Sequence, residues 1–371
     1  MAHRLSIGII GAGGFAAFAA KAFLKVDGIR IHAVCDVDTS NATTLAREVR
    51  ALVYPEYEHM LQDEAIDLIY IATPPYLHYS QSRLALRAGK HVLCEKPAAL
   101  KTSEAEELAA YARSKNLLYT VNLLQRYNPL YTVVKTIIEE KWLGDFVHGF
   151  FENYASDEKL IPEHWFWEEE KSGGIFIEHG VHFFDMFSGW LGRGQLVHAM
   201  EIRRDYPGKK IMDRVQAVVL YQNSPVNFYH GFNQPKVLDR QELRLQFDWG
   251  DITLYEWVPV KIRLHGFLTS AQVEKLMQQF PGASIEMQSD PALQELHVRG
   301  KFRDITYNAL VTVTAGDITD KMDRYEQLAM SMISDQWAWI RDHSHRRVID
   351  DTNAVESLRI AEEATEIASV F

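Results

Sequence analysis

Ser6-Ile7-Gly8-Ile9-Ile10-Gly11-Ala12-Gly13-Gly14-Phe15-Ala16 is the stretch that decides the fold. Residues 6–10 form a short apolar run, β-branched at Ile7, Ile9 and Ile10. The run is too short for a helix and reads as a buried parallel strand. It passes directly into the glycine cluster and then into Ala-rich helical sequence ending near Val26. Strand, glycine turn and helix are the context that gives a G-x-G-x-x-A pattern meaning. Gly11 lets the chain turn sharply, Gly13 lets a pyrophosphate approach the backbone, and Ala16 is small enough for close helix–strand packing. The free N–H groups of the helix start, around Ala12, Gly14 and Phe15, then face phosphate. A tight turn without a ligand would use the same residues, so the next segment carries weight.

Residues 29–35 read as a second strand ending at Asp36, which lies 20 residues after Ala16. A dinucleotide fold puts there the carboxylate that accepts hydrogen bonds from the adenosine ribose. The following residues, Val37, Asp38, Thr39 and Ser40, include no Arg to receive the extra phosphate of NADP. NAD is therefore favoured over NADP. The other role for Asp36 is to cap the helix at 40–50, a task open equally to Thr39 or Ser40.

The first third of the chain goes on alternating strand and helix. Residues 67–72 are a third strand, stopped by Thr73-Pro74-Pro75 at the edge where ligands bind in open parallel sheets. A helix over 77–88 ends at Gly89; a strand at 91–94 ends in Glu95-Lys96-Pro97; a helix over 103–115 leads to a strand at 118–122. This alternation predicts a doubly wound parallel sheet. Beyond Asn122 a helix over 129–141 gives way to long extended runs at 146–153, 196–204, 214–221, 226–233, 241–247 and 252–257. Their polar–apolar alternation predicts an antiparallel sheet. Residues 280–291 read as irregular, and helices over 321–343 and 352–370 end the chain.

Composition narrows the class. The 371 residues, 47% of them hydrophobic, suffice for two domains, divided here as 1–124 and 125–371. No run of 18 apolar residues predicts a membrane span. A net charge of −11 opposes nucleic acid and anionic membrane as partners. The first strand begins too early to leave room for a signal peptide, and two cysteines, Cys35 and Cys94, without metal-ligand spacing indicate a reducing, cytoplasmic setting.

A second constellation follows. Lys96 stands at a strand terminus beside Pro97, as a held ammonium would or as a surface lysine beside a turn would. Further on, Ser172-Gly173-Gly174 leads into apolar helical sequence carrying Glu178, His179, His182 and Asp185. On a helix Glu178 and His182 share a face, so the carboxylate can orient the imidazole as a base.

The glycine loop, Asp36, Thr73-Pro74-Pro75, Glu95-Lys96-Pro97 and Gly173-Gly174…Glu178…His182, in this order and spacing, resemble the Gfo/Idh/MocA oxidoreductases. The resemblance covers nearly the whole chain. It implies an α/β Rossmann domain followed by an α+β domain with a large, mostly antiparallel open sheet that commonly forms a homodimer or homotetramer interface. By the resemblance, Lys96, Glu178 and His182 are the catalytic set. Glu178 departs from the usual Asp, and its longer arm moves the carboxylate by about 1.5 Å.

The resemblance implies hydride transfer between a nicotinamide and a secondary alcohol of a sugar or polyol. His182 would take the hydroxyl proton while Lys96 stabilises the oxygen. Thr73, Pro74, His78, Glu95, Lys96 and Asn122 are expected on the nicotinamide side. Arg126, Tyr127, Asn153, His164, Trp165 and His179 are expected at the substrate, with Trp165 and Trp167 as candidates for stacking on a sugar. No metal is expected, since closely spaced ligands would crowd the site. Three other readings stay open: a hydrolase or lyase that oxidises its substrate transiently with retained NAD, a non-catalytic cofactor-binding regulator, and a purely structural or interaction protein. Calorimetric titration should find NAD bound more tightly than NADP; the reverse order would remove Asp36 from the ribose.

Overall fold

The computed structural model describes residues 4–280, 282–288, 296–299, 304–307, 309–316 and 320–371. The first sheet contains β1 (Leu5–Ile10), β2 (Ile29–Cys35), β3 (Leu52–Val53), β4 (Leu68–Ile71), β5 (His91–Cys94) and β6 (Tyr119–Val121). All pairs are parallel, in the order β3-β2-β1-β4-β5-β6. Every residue of β1 and β4 is buried, as expected for central strands covered on both faces. The strand order reverses between β1 and β4, so the crevice at their C-terminal ends is the switch point where such sheets bind ligands. Asp38, rather than Thr39 or Ser40, caps the helix Thr39–Val49 by accepting from the Ser40 amide at 2.8 Å. Asp36 is thereby free of that task.

The second sheet is built from β7 (Phe146–Ser156), β8 (Gln195–Tyr206), β9 (Lys209–Tyr221), β10 (Ser224–Gln234), β11 (Arg240–Phe247), β12 (Gly250–Tyr255), β13 (Lys261–Leu268) and β14 (Ser284–Gln288). After a short hairpin of β15 (Leu296–Arg299) and β16 (Asp304–Tyr307) come β17 (Ala309–Gly316) and β18 (Ser369–Val370). The ten strands run β14-β17-β13-β12-β11-β7-β10-β9-β8-β18, antiparallel except β7 with β10 and β8 with β18. Alternation buries one face: along β11, Gln241, Leu243, Leu245 and Phe247 are buried while Arg240 and Gln246 are exposed. The helix Val181–Leu191 lies on that face, with the Phe184 and Phe187 rings 4.8 and 5.1 Å from Phe228.

Two expectations need correcting. Residues 284–288, read as irregular, form β14 and pair with β17; the alternation of Ser284, Ile285, Glu286, Met287 and Gln288 suits an edge strand. Residues 281 and 289–291 of that stretch lie outside the described residues. The last helix ends at Ile367, and Ser369–Val370 joins the edge of β8 instead of extending it.

The helix Lys321–Arg341 returns to the first sheet and completes its core with Tyr325, Leu328, Met332, Ile333 and Trp337. The Trp337 ring occupies the space above Gly28, whose φ is +84° and where a Cβ would stand 2.2 Å from the indole. Only glycine satisfies both the backbone angle and that approach. Among the described residues no helix is long and apolar enough to cross a membrane.

Candidate active site

A cavity of about 1100 Å³ runs from the glycine turn after β1 to the buried face of the second sheet. At its first end lie Gly11, Gly13, Gly14, Phe15, Ala16, Asp36, Thr73 and Pro74. Gly11 has φ +93°, and a Cβ there would meet the Ala72 carbonyl oxygen at 2.5 Å, so this turn requires glycine. No atom lies within 4 Å of where a Cβ would stand on Gly13 or Gly14. Gly13 caps the helix Gly14–Phe23 without a side-chain acceptor, which leaves its N–H groups facing open space. Asp36 accepts from the Ala12 amide at 2.6 Å and from the Asp38 amide at 2.7 Å, which locks its carboxylate against the turn. Ala12 is thus engaged with Asp36 and does not line the cavity. An open cradle of backbone donors beside a fixed carboxylate fits a dinucleotide.

Glu95, Lys96 and Pro97 follow β5. Glu95 Oε1 accepts from the Tyr70 hydroxyl at 2.5 Å and from Asn122 Nδ2 at 2.7 Å. Burial pushes the Glu95 carboxyl up to about 6, against the opposing pull of those donors. Asn122, expected on the nicotinamide side, is buried off the cavity and anchors Glu95 instead. His78 is also set back from the cavity. Its Nδ1 lies 2.7 Å from the Pro97 carbonyl oxygen and its Nε2 2.7 Å from that of Thr73, tying the two loops together.

Lys96 Nζ donates to Glu178 Oε1 at 2.5 Å and to the Glu178 carbonyl oxygen at 2.7 Å. Glu178 sits on a single π-helical turn, Phe176–Gly180, entered through Gly173 and Gly174 at φ +78° and +85°. The sequence pattern predicts continuous helix here; the wider turn is of the kind that interrupts helices at functional sites. The expected partnership of Glu178 with His182 is not formed. Glu178 turns to Lys96, while His182 Nδ1 is buried with no hydrogen-bond partner. Burial, reinforced by the charge of Lys96, holds His182 well below the ordinary histidine range, so it is neutral at pH 7. The same causes push His179 down to about 3, and its Nε2 is likewise buried and unpartnered.

Asn153, His164, Trp165, His179 and His182 line the far end of the cavity. Arg126 and Tyr127 do not. The 3₁₀ turn Leu124–Tyr127 carries them under the helices, where Arg126 makes a bidentate pair with Asp185 at 2.7 and 2.9 Å and Tyr127 donates to Asp335 at 2.6 Å. Trp167 is also off the cavity, its indole donating to the Leu160 carbonyl at 3.0 Å. Asp239, Gln241, Trp257, Lys321 and Tyr325 line the cavity without having been anticipated. For Gln241 a signal existed: it is the polar residue at an inward position of an otherwise apolar face.

Residues 5–123 match the oxidoreductase family GFO/IDH/MocA, NAD-binding Rossmann fold, and residues 131–248 match the GFO/IDH/MocA C-terminal domain. The chain belongs to the GFO/IDH/MocA oxidoreductase family. It is 34% identical over 171 residues to an uncharacterized oxidoreductase of Schizosaccharomyces pombe, covering 46% of each chain. It is 27% identical over 195 residues to the scyllo-inositol 2-dehydrogenase (NAD(+)) of Bacillus subtilis, covering 52% of this chain and 55% of that one. The chain spans about half the length of the curated relatives it matches. In fold it is similar to KijD10, a 3-ketoreductase of Actinomadura kijaniata crystallised with NADP and TDP-benzene. The TM-score is 0.75 at 16% identity, covering 100% of this chain and 99% of that one. Among the described residues no group of three His, Cys, Asp or Glu side chains is arranged to hold a metal ion.

The Glu95 shift has a definite sign. Between pH 4.5, its ordinary value, and about 6, the folded protein binds more protons at this carboxyl than the unfolded chain does. Stability contributed by the protonated form is therefore lost as pH rises through that window, by about 2 kcal/mol for a shift of this size. Glu95→Gln keeps the acceptor for Tyr70 and Asn122 and should abolish this slope in urea titrations run across that range.

Proposed function

We propose that this family member is an NAD-dependent dehydrogenase acting on a secondary alcohol of a sugar or polyol. The observation that carries the reading is the Lys96 ammonium and a neutral His182 on one cavity that begins at the glycine turn. Gly11, Gly13, Gly14, Phe15, Ala16 and Asp36 would hold the adenosine and pyrophosphate half; Thr73, Pro74, Glu95 and Lys96 would flank the nicotinamide. The nicotinamide supplies the hydride acceptor. His182, kept neutral by burial, has a ring lone pair with which to take the hydroxyl proton. An ammonium has three protons, and Glu178 engages two of those of Lys96. The third is then free for the reacting oxygen, whose growing negative charge it stabilises. Glu178 acts on Lys96 as a positioning residue.

The preference for NAD rests on Asp36, whose fixed carboxylate would repel a ribose phosphate. The reading takes residues 1–124 as the cofactor-binding unit and 125–371 as the substrate and assembly unit, in a cytoplasmic protein with two unpaired, buried cysteines. It includes self-association through the outer face of the second sheet. That face bears half-buried Phe150, Tyr154 and Tyr229, with Arg240 stacked 4.6 Å over Tyr154 and Arg244 5.8 Å over Phe150. Aromatic and Arg side chains of this kind are enriched at interfaces.

Lys96→Ala and His182→Ala should each leave NAD affinity within a few-fold and lower turnover by about 10²–10⁴-fold. The losses should be strongly non-additive, because both residues serve one transition state. Single-turnover rates that fall by less than about threefold in both variants would remove them from the chemistry. Light scattering should give a multiple of the 42.6 kDa chain mass; the monomer mass at micromolar concentration would exclude association through the sheet.

A further inference from the structure

Two lysines line the cavity, and the chemistry above uses Lys96 alone. Lys321 has no part in it. Lys321 is the first residue of the helix Lys321–Arg341, which returns from the second sheet to complete the core of the first. One turn further along the same face of that helix, Tyr325 also lines the cavity. Its ring lies 5.5 Å from Phe15 and 5.2 Å from Phe18 on the helix Gly14–Phe23, and meets Trp257 edge-on at 5.0 Å. These contacts carry Lys321 to the part of the wall formed by the glycine turn, Phe15 and Trp257.

Among the described residues, the hydrogen-bond partner of the Lys321 ammonium is Glu256, whose Oε2 accepts at 2.8 Å. Glu256 stands in the turn between β12 and β13 at φ +75°, a left-handed angle that glutamate seldom adopts, and its amide donates to the Gln241 carbonyl oxygen at 3.0 Å. Trp257, next in sequence, lines the cavity, whereas Glu256 does not. The carboxylate therefore holds the ammonium from outside the cavity. It engages one of the three ammonium protons and leaves two. At 33% and 41% exposure, the pair is too wet to contribute much to stability; what it does is set a direction.

The charge of a dinucleotide calls for such a group. The cavity lining carries the carboxylates of Asp36, Glu95, Glu178 and Asp239 and, among the described residues, no arginine. Burial keeps His179 and His182 neutral at pH 7. A pyrophosphate brings two more negative charges. The open N–H groups at the start of the helix Gly14–Phe23 offer it partial positive charge, but four carboxylates on the same cavity work against it. Lys96 is engaged by Glu178 and aimed at the reacting oxygen. Lys321 is the other cation on the cavity, a point charge of the kind that binds phosphate.

We propose that Lys321 is a cofactor-binding residue whose ammonium meets the dinucleotide pyrophosphate, and that Glu256 is the positioning residue that aims it. The cofactor is then held from two sides, by the backbone donors of the glycine turn and by a cation on the helix that returns from the second sheet. The proposal rests on the cofactor-binding half of the reading above.

Calorimetry on the full chain tests it. The probes are NADH (NADPH should that bind more tightly) and ADP-ribose, which keeps the pyrophosphate and lacks the nicotinamide. Lys321→Met should weaken both about tenfold, the scale of a lost hydrogen bond to a charged group. Lys321→Arg, which restores the cation, should stay within about threefold of the unaltered protein. Glu256→Gln breaks the same ion pair but keeps the cation, so it separates a charge on the cofactor from a structural link, and it too should lose less than about threefold. The thermal midpoints of the unliganded variants should be unchanged, because a pair this exposed contributes little. A loss below about fivefold for either probe in Lys321→Met overturns the proposal; ADP-ribose unaffected while the dinucleotide weakens would put Lys321 at the nicotinamide instead. An equal loss in Lys321→Arg or in Glu256→Gln overturns it, and so does an unaltered protein that binds the dinucleotide but not ADP-ribose. An unaltered chain that binds neither NADH nor NADPH defeats the cofactor reading and this proposal together, whereas unchanged dinucleotide binding in Lys321→Met defeats this proposal alone. Dinucleotide binding with no turnover of any sugar or polyol defeats the dehydrogenase reading alone.

Discussion

The Lys96–Glu178 pair is the interaction on which the site depends. It joins the end of β5 in the first sheet to the π turn lying on the second, 82 residues further along the chain. Both side chains are largely withdrawn from water, at 18% and 13% exposure. Two charges so placed are tolerated only when geometry and additional hydrogen bonds compensate their lost hydration. Glu178 meets that condition by presenting its carboxylate and its own carbonyl to one ammonium. Removing either partner would strand a charge at the junction of the two sheets.

The same ammonium organises the titrating groups around it. Burial alone lowers the histidines, and the field of Lys96 lowers His179 and His182 further. An ammonium and a neutral imidazole then coexist at neutral pH on one wall. Glu95, one residue before Lys96, moves the opposite way because burial penalises its charge. A general acid–base site needs groups of unlike protonation state held close together. Here one and the same burial raises the carboxyl and lowers the imidazoles, so that groups of unlike protonation state stand on one cavity, placed by the backbone paths of β5 and of the segment leading into Val181–Leu191.

What was legible in the sequence was local. Residues 6–10 read as a strand because β-branched residues buried on both faces leave no other short element. The turn after them read correctly because Gly11 is forced by backbone geometry. Asp36 and Lys96 were legible because a strand terminus fixes where its next residue stands. Arg126, Tyr127 and Asn122 misled because being near a sheet edge in sequence says nothing about side-chain direction. Asp185, Asp335 and Glu95, distant in sequence, claim them. The π turn leaves no trace in a hydrophobic pattern, since one extra residue in a turn hardly alters which positions are apolar. For Gln241 the alternation along β11 marked an inward polar residue, but which cavity it faces appears only once β11 is known to lie beside β7.

Glu178 shows how one methylene propagates. A carboxylate that reaches back to share an ammonium with its own carbonyl needs a side chain long enough to fold over its backbone, and Glu has one more bond for this than Asp. Once both contacts form, two of the three lysine protons have fixed directions, and the third is fixed by tetrahedral geometry. The length of the Glu178 arm therefore sets the direction in which Lys96 can still donate. With Lys96 held by Glu178 and Lys321 by Glu256, the two ammonium groups on the cavity are fixed in direction rather than free to turn.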